Sequence, residues 1–375
     1  MAISNHSIML GGGEHSFLDL LSHLSPTWKP VAVVPKEGEL AAKLQKKNIE
    51  TIVIPLPKLR PRFILKILSS FRNFFKACKK YRPALIYANG SRAAFYGGIV
   101  GRILSLPVVW HCRIADSDNY LDFILTRLCN HIVANSHATA KRFGTHIQTK
   151  VTVVYNGLDI QWLRENTINR PTQSNVERKI VLVVARVSRW KRHDMVLSAF
   201  TDVAKSDPNV HLVCLGAPDS SEPEWWAYLQ DRTKHSAFSD RIHWVGHVDD
   251  VRPWYRIAHM LVLASENEPF GRVLVEAMAC GVPIIATGSG GVPEIVRHDQ
   301  DGFLVSPGKA DEVADAMEGI LKDEALQKRL ARSAEERAQF FSLDTHMEEM
   351  LQIFQNSIRK RSDSYVKNRY EVHSG

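Results

Sequence analysis

The alternation of apolar and polar positions divides the chain into two series of short β-branched runs, each separated by longer amphipathic stretches. In the first series VAVV (31–34), TIVIPL (51–56), ALIYAN (84–89), PVVWHC (107–112), HIVANS (131–136) and VTVVYN (151–156) predict strands. These runs are nearly continuous rather than alternating, as strands covered on both faces of a parallel sheet require. Stretches such as HSFLDLLSHL and GELAAKLQKKN fit helices between them. Strands alternating with helices predict βαβ units. Residues 164–179, RENTINRPTQSNVERK, are polar with no apolar period and mark a linker. A second series follows, with KIVLVVA, HLVCLG, RIHWVG, HMLVLAS, VPIIAT and GFLVSP as strands and LSAFTDVAKS and DEVADAMEGILKD among the helices. The expected fold is α/β, two Rossmann-like doubly wound domains facing a central cleft. The first spans 1–165 and the second 166–342. A terminal helix over 343–360, with the option of crossing back to the first domain, precedes a polar tail, 361–375, expected to be disordered.

Composition adds limits. A chain of 375 residues with 45% hydrophobic content can bury two cores. No uninterrupted apolar run is long enough to span a membrane; the nearest, residues 93–110, is broken by Arg102 and Pro107. The opening MAISNHSIML lacks the basic and apolar regions of a signal peptide. Cys78, Cys112, Cys129, Cys214 and Cys280 show no CxxC spacing, which suits a reducing compartment and argues against structural zinc. The net charge of +8 is uneven. Residues 1–165 hold 22 Lys and Arg against 10 Asp and Glu, whereas residues 166–375 hold 26 against 30. Two parts of opposite sign suggest different partners.

Ligands of open parallel sheets bind beyond the carboxyl ends of the strands, so the residues there are the candidates for chemistry. Arg186 and Lys191 follow KIVLVVA; two cations at one strand end suit a diphosphate, and equally suit a plain surface loop. ENEPFG and the helix GRVLVEAMAC follow HMLVLAS, placing Glu268 in a loop and Glu276 on a helix face shared with Arg272, Val273 and Cys280. A shielded Glu276 needs donors, which ribose hydroxyls would supply; an ion pair with Arg272 is the alternative. The turn GSGGVPEIV, with Gly288, Gly290 and Gly291, serves either a phosphate or sugar, or a tight strand-to-helix connection. In the first domain GGGEHS opens a helix able to face an anion, without being a nicotinamide fingerprint. His111 sits at a strand end with Arg113 beyond it, and Asp116 to Asp118 form a DSD that is a weak metal-binding pattern.

Together these pieces resemble the retaining glycosyltransferases of family four, which have the GT-B fold. The spacing Glu268 to Glu276 within EPFGRVLVEAMACGVPIIAT resembles that family's signature. ARVSRWK, GGVPEIV, DGFLVSP, VVYNGLD, GGGEHSFLDLL and VVWH fall in the family's order, over roughly residues 8–340. The resemblance implies a hexose-type transfer from a nucleotide-diphosphate sugar, UDP- or GDP-linked, to a lipid-linked or polysaccharide acceptor. Glu276 would hold the ribose and Arg186 with Lys191 the departing diphosphate. Glu268, with the backbone of Pro269, Phe270 and Gly271, would grip the transferred sugar. His111 would contact the sugar or assist the reacting centre, Gly12 and Gly13 would approach the diphosphate or acceptor, and Gly290 and Gly291 would wall the donor site. No cofactor or metal is expected. In the family a strand precedes the first glycine loop, so MAISNHSIML implies a short or clipped first strand.

The basic excess concentrates between Lys58 and Pro83, with nine basic residues and no acidic one. Apolar residues interleave with the cations from Lys58 to Arg82, so this helix suits an anionic membrane surface, and alternatively a packed helix with a solvated basic face. The expected setting is cytoplasmic and peripheral to the inner face of the plasma membrane. No nucleic-acid motif accompanies the charge. A nucleotide-sugar epimerase of the same fold and a non-catalytic binding protein are the rival readings.

Overall fold

The computed structural model describes residues 1–6, 11–165 and 178–371, with side chains as far as Arg361. The chain forms two compact units, residues 1–157 with the terminal segment from Leu343, and Leu158–Ser342.

The first unit is built on seven parallel strands: β1 (Ala2–Ser4), β2 (Val31–Val34), β3 (Glu50–Val53), β4 (Ile86–Asn89), β5 (Val108–Cys112), β6 (His131–Ala134) and β7 (Val151–Val153). Their order is β3-β2-β1-β4-β5-β6-β7, which reverses direction between β1 and β4. The first strand is short, as its sequence implies, yet it lies in the middle of the sheet, with Ile3 against Val33 and Ala88. Both faces are covered. Ile3, Ile86, Val108 and Trp110 enter one core, while Ala2, Tyr87, Val109 and Val133 enter the other. β3 stops at Val53 because Pro55 follows shortly and has no N–H to give the ladder.

The second unit has six parallel strands: β8 (Lys179–Val184), β9 (Val210–Leu215), β10 (Ile242–Gly246), β11 (Ala258–Leu263), β12 (Ile284–Thr287) and β13 (Gly302–Val305). Their order, β10-β9-β8-β11-β12-β13, reverses between β8 and β11. Helices at His193–Ser206 and Ala310–Lys322 supply Phe200, Val203, Val313 and Met317 to one face of its core.

Two boundaries differ from the sequence expectation, while the terminal helix starts at 343 and joins the first unit as that expectation allowed. The units divide at Gly157 and Leu158 rather than at 165, because the short helix Ile160–Arg164 is tied to the second unit. Arg164 Nε donates to the Ala279 carbonyl at 3.1 Å. The terminal helix, Leu343–Glu371, belongs to the first unit and buries Leu343, Met347, Met350 and Phe354, which recur at helical spacing. Burial of each such side chain contributes roughly 1.5–3 kcal/mol. The polar tail does not begin at residue 361 as expected; the backbone stays helical to Glu371, and 372–375 lie outside the described residues. The linker reading of 164–179 also falls mainly outside them, over 166–177. No helix among the described residues is long and apolar enough to cross a membrane.

Candidate functional site

In the second unit the chemistry gathers where the strand order reverses. β8 and β11 are neighbours there, and the segments leaving their carboxyl ends carry Lys191 and Glu268. Lys191 Nζ lies 2.6 Å from Glu268 Oε2, with the two side chains only 13% and 9% exposed. The ammonium also stands 4.0 Å from the centre of the Trp190 ring. Two further ties hold the segments together. Glu266 N–H donates to the Trp190 carbonyl at 2.8 Å. Arg192 Nη1 donates to Glu266 Oε1 at 2.6 Å, while its other nitrogens take Asp194. Arg192 and Asn267 adopt positive φ of 51° and 49°, so both segments turn sharply at the site.

The glycine turn after β12 supports this loop from the side. Gly291 N–H donates to the Glu268 carbonyl at 2.7 Å. Gly290 has φ +59°, and a Cβ there would come within 2.2 Å of the same carbonyl oxygen. Of the two uses open to this turn, close packing on the Glu268 loop accounts for the glycine at 290. Gly271 has φ +93° and ends the loop, and a Cβ on it would press on Leu274. The helix Arg272–Ala279 starts there. Phe270 is core, set edge-on to Phe341 at 5.8 Å, and Pro269 is half-buried beside it.

Glu276 makes the Arg272 ion pair that its sequence left open, and has a second partner besides. Tyr255 Oη donates to Oε2 at 3.0 Å and Arg272 Nε approaches Oε1 at 3.4 Å. Tyr255 is buried, and burial with the adjacent carboxylate pushes its hydroxyl well above the usual phenol range. Glu276 is thus held in place by the protein, with both the ion pair and further acceptor capacity available to a ligand. Arg186 pairs with Asp219 at 3.4 Å and remains 46% exposed, beside β9 rather than on the Lys191–Glu268 pair. His193, two residues past Lys191 at the start of the next helix, is 1% exposed with neither ring nitrogen partnered among the described residues. Burial lowers its pKa to about 4, with Lys191 adding to the effect.

The first unit holds a second cluster at its own strand ends. His111, fully buried, lies opposite Asn89 in the β4–β5 register. Its Nδ1 faces Tyr87 Oη at 2.8 Å and Arg113 Nη2 at 3.3 Å. Arg113 also donates from Nε to Asn89 Oδ1 at 2.7 Å and from Nη1 to Asn156 Oδ1. Burial pushes the His111 pKa well below the usual imidazole range, and Arg113 and His346 push the same way. The glycine loop sits alongside, with the Gly13 carbonyl accepting from Asn89 Nδ2 at 3.1 Å. Gly12 begins the helix Gly12–Ser22. Glu14 occupies that helix's first turn and accepts from Gly11 N–H at 3.1 Å, so a built-in acid already meets part of the positive helix end. The DSD is a helix cap: Asp118 Oδ1 accepts from Leu121 N–H at 3.0 Å.

Sequence reading overlooked Tyr255, Tyr87, His346 and the Arg192–Glu266 tie. Tyr87 and Asn89 share the strand ALIYAN, whose polar end was a signal. His346 stacks on His111 at 6.2 Å from a helix far along the chain, and no local pattern announces that.

Two family models match in succession, "Glycosyltransferase Family 4" over residues 10–162 and "Glycosyl transferases group 1" over residues 165–337. The chain belongs to the family four glycosyltransferases. Among its relatives is the N-acetyl-alpha-D-glucosaminyl L-malate synthase of Bacillus anthracis, 31% identical over 216 residues, which are 57% of this chain and 54% of that one. The D-inositol 3-phosphate glycosyltransferase of Mycobacterium marinum is 30% identical over 220 residues, 56% and 46% of the two chains. The chain spans about half the length of the curated relatives it matches. Likeness in fold runs further. Anabaena HepE, solved with UDP and glucose, superimposes with TM-score 0.81 at 22% identity, over 94% of this chain and 98% of that one. Sucrose-phosphate synthase from Thermosynechococcus elongatus gives 0.78 at 20% identity, over 95% and 98%. The two parallel sheets are therefore those of the GT-B fold.

Proposed function

We propose that the protein is a retaining glycosyltransferase that moves a hexose-type sugar from a nucleotide-diphosphate sugar to a lipid-linked or polysaccharide acceptor. The observation that carries this reading is the Lys191–Glu268 pair, shielded at the strand-order reversal of the second unit. Cleaving the bond between the anomeric carbon and the diphosphate oxygen builds positive charge on the sugar and negative charge on the leaving group. On donor binding the Lys191 ammonium and the Arg186 guanidinium, paired in the free protein with Glu268 and Asp219, turn to the diphosphate, and Glu268 holds the sugar beside it. The acceptor hydroxyl attacks on the face the diphosphate leaves, and its proton passes to the departing phosphate oxygen. The reaction then balances without a protein base. Glu276, steadied by Tyr255, holds the ribose. Arg186 and Lys191 carry the charge neutralisation that a metal would otherwise supply, so turnover in a chelator is expected.

A UDP-hexose is the first donor to test, since HepE was solved with UDP and glucose. The cationic helix of the first unit favours an acceptor at an anionic membrane, on its cytoplasmic side. The test is a panel of UDP- and GDP-sugars incubated with membrane extract, with the anomeric configuration of the product read by NMR. Transfer with retained configuration is expected. Inverted product overturns the retaining mechanism. Neither transfer nor donor hydrolysis, alongside donor-induced thermal stabilisation, would make the protein a binding protein instead.

A further inference from the structure

His111 has one partnered and one unpartnered ring nitrogen among the described residues. Nδ1 faces Tyr87 Oη and Arg113 Nη2, whereas the buried Nε2 has no partner. A guanidinium only donates. Arg113 Nη2 also approaches Tyr87 Oη at 3.5 Å, so the phenol oxygen accepts from the guanidinium and turns its own proton toward Nδ1. Both neighbours therefore present hydrogens to Nδ1, which is left as the lone-pair nitrogen. The proton of a neutral ring then sits on Nε2.

We propose that Arg113 and Tyr87 are positioning residues that hold His111 as the neutral Nε2–H tautomer, a hydrogen-bond donor to a substrate oxygen and not a base. The identity of that oxygen, one on the donor sugar, rests on the function proposed above; the tautomer does not. Every neighbouring element agrees. From β4 come Tyr87 and the neutral Asn89, and from the segment after β7 comes the neutral Asn156. From the terminal helix comes His346, whose Nδ1 donates to the Tyr155 carbonyl at 2.6 Å. Among the described residues no carboxylate pairs with Arg113, so its charge stays unneutralised beside the imidazole and opposes a second proton there. The two asparagine oxygens fix the guanidinium so that Nη2 faces Nδ1. The arrangement fits a reaction in which the leaving diphosphate takes the acceptor proton, since His111 then has only to donate.

The test uses full-length protein with 15N-labelled histidine and long-range proton–nitrogen correlation, with the His111 signals identified by their loss in His111→Gln. A pyrrole-type Nε2 and a pyridine-type Nδ1, unchanged between about pH 5.5 and about pH 8, are expected. Arg113→Gln with Tyr87→Phe should mix the tautomers or let the ring titrate in that range. Tyr87→Phe alone, which keeps the ring packing, should do so partially should the double variant not fold. A pyrrole-type Nδ1 in the parent protein, or an unmixed Nε2–H in Tyr87→Phe and the double variant alike, would overturn the proposal. These spectra need no turnover, so failure of the transferase reading is seen separately. Where turnover is found, His111→Gln, which keeps an amide donor, should retain activity within roughly tenfold, with His111→Ala falling well below it. Equal loss in both would refute the donor role.

Discussion

Lys191 and Glu268, on segments leaving adjacent strands, form a 2.6 Å ion pair that is almost entirely withdrawn from water. Removing one partner of such a pair strands the other charge, at a cost of about 3 kcal/mol or more, whereas replacing both with apolar groups can be close to neutral. Glu268→Ala should therefore lower the thermal midpoint clearly. Lys191→Met combined with Glu268→Leu should recover most of that stability while donor turnover stays lost. A double variant that regained turnover would make the pair a structural tie only.

The glycine turn offers a contrast between two residues of like backbone. Gly290 and Gly308 both have positive φ, +59° and +79°, but a Cβ at 290 meets the Glu268 carbonyl at 2.2 Å and at 308 meets nothing. Gly308→Ala should cost about 1 kcal/mol of stability for its backbone conformation alone. Gly290→Ala should cost more and also weaken donor binding, because the Glu268 loop must shift. Calorimetric donor titration alongside thermal unfolding separates the two effects. Equal behaviour of the two variants would show that the turn does not set the loop.

How far the sequence spoke depends on the range of the interaction. Each strand run could be read because burial on both faces leaves an uninterrupted apolar stretch, as in KIVLVVA and PVVWHC. Lys191, Glu268 and His111 could be singled out as candidates because strand ends are where such sheets place chemistry. What stayed hidden are the side chains that fasten these groups. Glu276 looked like a carboxylate awaiting a ligand, since nothing nearby in sequence supplied a donor except Arg272; Tyr255 reaches it from a separate short helix. Gly290 read equally as a phosphate turn or a packing turn, because a glycine does not say what its missing Cβ would strike. The helix extension to Glu371 was missed because the polar sequence RSDSYVKNRYE reads like a loose tail.

Tyr255 should matter to the donor through Glu276 alone. Tyr255→Phe keeps the buried ring and deletes the 3.0 Å hydrogen bond. Loss of about 1 kcal/mol in positioning predicts a donor KM raised roughly fivefold, with kcat little changed. An unchanged KM would remove Glu276 from the ribose.

Stability of the second unit should fall in acid. His193 is held neutral, with its pKa lowered to about 4 by burial, while in the unfolded chain it takes a proton near the ordinary value of 6.5. Between those values the unfolded state binds more protons, so stability is full above about pH 6.5 and is lost as pH falls toward 4, by up to about 3 kcal/mol. Denaturant titrations across this window should show the decline, and His193→Met should flatten its share of it. His211 and His243 of the same unit, also lowered by burial, act with the same sign and leave a residual slope. An identical slope in His193→Met would mean that this ring is not the group titrating.

The helix Ile64–Tyr81 buries Ile67, Phe74 and Cys78 on one side, while Ile64, Leu65 and Leu68 stand 54%, 79% and 56% exposed near its start. Lys58, Arg60 and Arg62 precede the helix in the chain and Lys66 lies on it between the exposed leucines, all four exposed. A helix needing only to pack on its own unit would have no use for three exposed aliphatic side chains amid cations. Insertion of the leucines into a bilayer would recover about 1.5–3 kcal/mol each, and the cations would favour anionic headgroups. Co-sedimentation should therefore show binding to phosphatidylglycerol-containing vesicles and little to pure phosphatidylcholine, weakening as salt is raised. Leu65→Glu with Leu68→Glu should reduce binding by roughly a hundredfold or more while leaving donor hydrolysis intact, because both side chains point to solvent. Vesicle binding that survives this pair of substitutions would move the docking surface elsewhere on the protein.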